Sequence, residues 1–298
     1  MQRNQDNPQV SIVIPTYNHA HFLKNCLQSV ISQTFMNWEA IVINNFSEDN
    51  TIEIVKSFDD PRIHLVNFRN SGIIAASRNE GIRLAQGEYI AFLDSDDWWY
   101  PDKLELAIKY LANADIVFHD LAIHTQKGKK IFKRMRARHL KKPVFVDLMT
   151  SKTVLFNSSV VVKKNIINRV GNLSEDQSLA GVEDSDLWLR ISRITEEFYY
   201  ISKTLGAYWS GDGQFTEISE RQIERVSALY SKHMPFLSDA DKMQAEMLIN
   251  YTFGRIKQQL GCRDEAVGLL KKSLHSRNLE IKLKSIYCMI KNHVSSWR

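Results

Sequence analysis

The chain predicts an α/β fold: a mostly parallel central sheet with flanking helices, followed by a C-terminal α-helical extension. Three observations carry this. Short continuous apolar runs recur through the first 120 residues, helix-length segments separate them, and from about residue 217 onward the pattern is helical throughout. Strands alternating with helices imply βαβ units and right-handed crossovers.

Val10–Pro15 is a continuous apolar run, as in a strand buried on both faces. Phe22, Cys26, Leu27, Val30 and Ile31 follow at helical spacing. Trp38–Ile43 is the second strand, and Ser47 predicts the N-cap of a helix carrying Ile52 and Val55. Arg62–Phe68 reads as a third strand, Ile73 to Gln86 as a helix, and Glu88–Leu93 as the fourth strand. Pro101 suits the first turn of another helix.

Beyond residue 120 the alternation weakens. Residues 121–142 read as an exposed loop or loose helix, Ser159–Val162 as a strand, and Glu183–Ile194 as a helix with acids in its first turn. Trp188, Leu189 and Ile191 face the core in this reading, whereas Asp186 is a solvated or capping acid. Gly261 breaks the C-terminal region between helices, and GCRDEAVGLLKKSL resembles one tetratricopeptide-like helix pair. A lone unit falls short of a solenoid, so the region reads as a helical cap.

The chain has 298 residues, 44% hydrophobic and 24% charged, enough to bury a sizeable core in two domains or one large domain with an appendage. Disordered, collagen-like and disulfide-scaffold classes are excluded. No apolar run approaches the roughly 18 residues of a membrane span, and the N-terminus lacks the apolar segment of a signal peptide. Cys26, Cys262 and Cys288 are too few and too scattered for a disulfide or metal framework, which predicts a reducing, cytoplasmic setting.

The net charge of +5 is unevenly spread. Residues 121–142 hold nine basic side chains and no acid, and residues 241–298 hold eleven against five, so the remainder is acidic. Such patches attract polyanions or anionic membrane surfaces. Leu283, Ile286, Tyr287, Ile290 and Val294 recur at helical spacing beside Lys282, Lys284 and Lys291. That face either packs against the catalytic domain or lies on a bilayer. No nucleic-acid motif is present.

Parallel sheets bind ligands beyond the carboxyl ends of their strands. Those positions hold Thr16-Tyr17-Asn18, Asn44-Asn45-Phe46-Ser47 and Asp94-Ser95-Asp96-Asp97. Three carboxylates within four residues repel one another unless a cation compensates, and Mg²⁺ or Mn²⁺ with open positions for phosphate oxygens suits them. The alternative is that these acids cap the helix near Pro101.

Four segments in order, VSIVIPTYN, NWEAIVINNFSEDNT, RNEGIRLAQGEYIAFLDSDD and GVEDSDLWLR, closely resemble the inverting family-2 glycosyltransferases over roughly residues 9–195. The resemblance implies the Rossmann-like GT-A fold and a nucleotide-sugar donor. It implies a catalytic domain over 8–215, with a nucleotide-binding half at about 8–120 and an acceptor half at about 121–215. Residues 216–298 form the helical region. Pro15 and Tyr17 would hold the base, Arg78 would lie near base and diphosphate, Asp94 with Ser95 would meet the nucleotide ribose and sugar, and Asp96 would hold the metal. Asp184 matches the general base, with Glu183 beside it. Tyr208 and Trp209 are candidates for stacking on the acceptor. The implied acceptor is a glycan or lipid-linked glycan of a bacterial surface-polysaccharide or lipopolysaccharide pathway. The enzyme would then be cytoplasmic, or peripheral on the inner membrane.

Two departures stand out. Family members carry two aspartates after the second strand, the latter accepting from uracil N3–H, where this chain has Asn44-Asn45. UDP-sugars stay first, with cytosine or guanine nucleotides open. The chain also lacks a QxxRW motif, which favours transfer of a single sugar over processive synthesis. A sugar nucleotidyltransferase would show a glycine-rich phosphate loop after the first strand, and Thr16-Tyr17-Asn18-His19 is not one. A catalytically degenerate nucleotide-sugar-binding module is the remaining alternative, with Asn44-Asn45 in its favour.

Overall fold

The structure is a computed structural model that describes residues 7–126, 128–152, 155–211 and 219–294, with side chains omitted at 128–133 and 292–294. Lys127, Asp212 and Gly213, and the side chains of Lys129, Lys130, Lys133 and Val294, lie outside the described set.

Strands β1 (Val10–Thr16), β2 (Trp38–Asn44), β3 (Ile63–Asn67) and β4 (Tyr89–Phe92) pair in parallel in the order β3-β2-β1-β4. Every residue of β1, β2 and β4 is buried, as continuous apolar runs require when helices cover both faces. Helix α1 (Ala20–Ile31) presses Leu23, Cys26, Leu27 and Val30 into this core. Helices α2 (Thr51–Lys56) and α3 (Ile74–Leu84) complete the crossovers.

The α2 cap departs from expectation. Ser47 donates its hydroxyl to Asn44 Oδ1 (2.6 Å), and Asp49 Oδ1 instead accepts the Thr51 N–H (3.1 Å) at the helix start. Asp49's second oxygen accepts the Ala20 N–H (2.9 Å), tying α2 to α1. The two oxygens of the Asp49 carboxylate serve both helices, whereas the Ser47 hydroxyl is engaged by the Asn18 N–H and Asn44 Oδ1.

The chain continues through β5 (Trp98–Trp99), α4 (Lys103–Leu111), β6 (Ile116–Thr125), β7 (Gly128–Met135), α5 (Val144–Thr150), β8 (Val161–Lys163), α6 (Lys164–Val170), α7 (Glu183–Ile191) and β9 (Phe198–Trp209). The sheet runs on from β4 as β8-β6-β9-β5, with β7 paired to β6, giving nine strands among the described residues. β8 is antiparallel to both neighbours and β9 is parallel to β6, so this half is mixed where the first half is parallel. The β6–β7 hairpin corrects the loop or loose helix expected at 121–142. Among the described residues its lysine-rich strand pairs with β6 alone, and charge on an outer strand discourages pairing with other chains.

Contact density divides the chain into two compact units, residues 7–140 with 155–211, and 141–152 with 219–294. The second unit packs α5 with α8 (Glu220–His233), α9 (Asp239–Gln259), α10 (Arg263–Ser273) and α11 (Leu279–Val294). The Ser238 hydroxyl caps α9 at Asp241 N, and Gly261, at φ +83°, makes the predicted break between α9 and α10. Leu248, Tyr251, Leu270, Ile281 and Cys288 form this unit's core. On the α11 stripe Leu283, Ile286, Tyr287 and Ile290 are exposed. Among the described residues no helix is long and apolar enough to cross a membrane.

Candidate active site

In the order β3-β2-β1-β4 the connection reverses direction between β1 and β4, and the crevice beyond those two strand ends is where such sheets bind ligands. Asp94 stands at the end of β4. Its N–H donates to Ser158 Oγ (3.1 Å), and its carboxylate accepts from Asn157 Nδ2 (3.2 Å) and from Arg78 Nη2 (2.7 Å). Arg78 projects from α3, and its other arm donates to Glu183 Oε1 at 2.6 Å. Its side chain is 5% exposed, as is that of Glu183. Burial opposes the guanidinium charge, but Asp94 and Glu183 more than offset it, and Arg78 stays firmly protonated.

Glu183 opens α7 and also accepts the N–H of Gly181, whose φ of +84° is open to glycine at little cost. Asp184 follows on the same turn, half-buried, with Oδ1 accepting the Ser185 N–H (2.6 Å). Burial and the neighbouring Glu183 charge push its carboxyl up to about 7, against the pull of Arg78. A carboxylate poised near neutrality is suited to accept a proton from an alcohol.

Asp186 is fully buried, which corrects the solvated or capping reading. It pairs with Arg190 (2.8 Å), whose remaining arms donate to the Val170 and Asn172 carbonyls (2.6 Å each) at the end of α6. The i,i+4 spacing brings the pair together, and the free carbonyls of α6 draw the arginine inward. Trp188, Leu189 and Ile191 are buried as predicted, and Leu187 is buried with them.

Beyond β4, Ser95 Oγ lies 2.9 Å from His19 Nδ1, and the buried Asp97 accepts the Trp209 N–H (3.0 Å). Burial and the charges of Asp96 and Asp94 push the Asp97 carboxyl well above the usual carboxylate range. These acids do not cap α4, because β5 intervenes and the helix begins at Lys103. Among the described residues no three His, Cys, Asp or Glu side chains form a preformed metal cage. The donor set instead fits a divalent ion held by one or two carboxylates and by phosphate oxygens arriving with a ligand. The carboxylate crowding that raises Asp97 is what such a cation relieves.

On the β1–β2 side, the Asn45 N–H donates to the Thr16 carbonyl (3.0 Å), and Asn45 Oδ1 accepts the Asn70 N–H (3.0 Å). A backbone amide only donates, so this contact fixes the side-chain oxygen toward Asn70 and leaves Nδ2 as a donor. Asn44 is structural: fully buried, it donates to Asn67 Oδ1 (2.8 Å) and accepts from Ser47. Pro15 is buried on β1, and Tyr17 and Phe46 are half-exposed at the two strand ends. Trp209 ends β9 with its ring 5.2 Å from Phe22, and Tyr208 lies partly buried before it. The fold thus joins Asp94 and Glu183 through Arg78, and Asp184 lies within the field of all three. Sequence reasoning missed His19, Asn157 and Ser158, which hold Ser95 and Asp94. His19 directly follows the Tyr17-Asn18 pair, whereas Asn157-Ser158 carries no signal in the pattern.

Residues 11–173 match the family described as Glycosyl transferase family 2. The chain belongs to that family. This family-2 glycosyltransferase is 41% identical over 113 residues to WfgD of Escherichia coli, a UDP-Glc:alpha-D-GlcNAc-diphosphoundecaprenol beta-1,3-glucosyltransferase, covering 38% of this chain and 45% of WfgD. Its fold matches S. aureus TarS 1-349 in complex with UDP-GlcNAc, with a TM-score of 0.62, 14% identity, and 96% and 89% of the two chains covered. It also matches the Pyrobaculum calidifontis mannosyltransferase PcManGT in complex with GDP-Man and Mn²⁺, with a TM-score of 0.60, 16% identity, and 99% and 82% covered. The architecture of the family-2 enzyme is GT-A, with a helical C-terminal region.

Proposed function

We propose that this glycosyltransferase moves a single sugar from a nucleotide-sugar donor, a UDP-sugar foremost, to an acceptor hydroxyl, with inversion and with a divalent metal. The observation that carries this is Arg78, whose two arms join the acids after β4 to the acids that open α7. The catalytic domain expected at 8–215 would comprise the unit of residues 7–140 with 155–211, and the helical region would take in 141–152 as well as the residues from 219 onward.

Asp184 takes the proton from the acceptor hydroxyl on the face opposite the leaving group, as single displacement with inversion requires. Glu183 is held by Arg78 and Gly181, so it fixes the first turn of α7 and with it the direction of Asp184. Asp94, oriented by Arg78 and Asn157, meets the nucleotide ribose, with Ser95 beside it. Asp96 would hold Mn²⁺ or Mg²⁺, which when bound supplies positive charge where the diphosphate develops negative charge. Pro15, Tyr17 and Asn45 line the base side, and Tyr208 and Trp209 the acceptor side.

WfgD's acceptor is linked to diphosphoundecaprenol, which supports a glycan or lipid-linked glycan acceptor in surface-polysaccharide synthesis. The enzyme would then work in the cytoplasm, peripherally at an anionic membrane face. Product analysis tests the mechanism. With a UDP-sugar, Mn²⁺ and a glycan acceptor, the anomeric proton coupling of the product reports inversion, and a product retaining the donor configuration overturns it.

A further inference from the structure

We propose that the outer face of α11 is a docking surface for an anionic lipid bilayer. This rests on the peripheral membrane reading above and names the surface that performs it. α11 turns Ile281, Ser285 and Cys288 inward, each no more than 2% exposed. On its opposite side Leu279, Leu283, Ile286, Tyr287 and Ile290 are 43–66% exposed.

Those five positions share one stripe, because spacings of three and four residues return to the same helix face. Lys282 borders the stripe on one edge at roughly 80° from its centre, and Lys291 and Lys284 flank the other at roughly 100° and 120°, at 3.6 residues per turn. From 271 to 291 the chain carries six lysines and arginines against one acid, Glu280, which pairs with Lys284. An apolar stripe between basic margins is the form of a helix that lies in a headgroup region, its aliphatic side chains below the phosphates and its lysines at their level. Tyr287 adds a ring with one polar end, which suits the same depth.

Charge selects the occupant. A second copy meeting this face across a two-fold axis would set basic margins against basic margins, whereas an anionic bilayer complements them along the whole helix. The surface is the face of a single helix, which a planar partner covers without a groove.

The test is co-sedimentation of the full chain with phosphatidylcholine vesicles, with and without phosphatidylglycerol. Binding is expected to the anionic vesicles, to weaken at high salt, and to be slight on phosphatidylcholine alone. Leu283→Ser with Tyr287→Ser and Ile290→Ser should lower partitioning at least tenfold. Lys282→Gln with Lys284→Gln should lower it roughly thirtyfold on anionic vesicles, at about a fivefold loss per lysine. The triple variant should keep its thermal midpoint and its release of nucleoside diphosphate from the donor. Wild-type protein that stays in the supernatant overturns the peripheral reading and this surface together. Variants that bind like wild type overturn the surface alone. A soluble dimer that Leu283→Ser dissociates, seen by sedimentation velocity, assigns the face to self-association and overturns the proposal. Donor turnover reports on the glycosyltransferase reading in every arm.

Discussion

Arg78 and Glu183 stand 105 positions apart in the chain and 2.6 Å apart in the fold. The opposite arm of the same guanidinium holds Asp94 at 2.7 Å. One buried cation therefore aligns two acidic segments from different parts of the chain, and the distance between them is set by the span of a guanidinium.

Replacing Arg78 strands two carboxylates. Arg78→Ala should cost about 3–5 kcal/mol in urea unfolding, the range for breaking a buried ion pair by removing one partner. Arg78→Lys should recover only part of this, because an ammonium does not reproduce the two-armed fork.

Asp184 has opposite consequences for activity and stability. Its carboxyl is raised to about 7, so the rate should fall tenfold per unit as pH drops below that value. An acid whose folded pKa lies above its unfolded 3.8 costs the native state stability as pH rises, beginning near the lower value and complete above the higher. Asp184→Asn should then lose catalysis while melting above wild type at pH 8, and the two melting curves should converge near pH 4.

Lys103 is fully buried, its amine 3.5 Å from the centre of the Trp99 ring and without a hydrogen-bond partner. Burial drives its pKa well below 10.5. The unfolded chain binds the proton more readily, so wild-type stability should rise as pH climbs from the lowered folded value toward the unfolded value of about 10. Lys103→Met should raise stability at pH 7 by on the order of 1–3 kcal/mol and flatten that slope, read by urea titration at pH 7 and 9.

Asn45 bears on base choice. Its oxygen is committed to the Asn70 N–H. Asn45→Asp keeps that contact with one oxygen and frees the other to accept from uracil N3–H. UDP affinity should rise roughly 10–100-fold, the value of a hydrogen bond to a charged acceptor. Thermal shift against UDP, CDP and GDP with Mn²⁺ checks this, since a ligand that binds only the folded state raises its melting temperature.

Much of the first half was legible because buried parallel strands print as unbroken apolar runs. β1, β2 and β4 fall within a residue of their predicted limits at most ends. β9 was not legible. Its side chains alternate between faces irregularly, and its register with β6 shifts twice, which erases the period of two. The acids of the candidate site stand out in the sequence by their clustering and by resemblance. Asp186 misled because the arginine that neutralises it also caps a helix twenty positions upstream, a tertiary contact without local trace. Asn157 and Ser158 likewise reach Asp94 across more than sixty residues.

The most direct measurement is release of nucleoside diphosphate from a panel of nucleotide sugars with Mn²⁺, comparing wild type with Asp96→Ala and Asp184→Asn. One centre spanning the β4 acids and the α7 acids predicts turnover by wild type and at least a hundredfold loss in each variant, with thermal unfolding still cooperative. Turnover undiminished in both variants would place the chemistry elsewhere in the molecule.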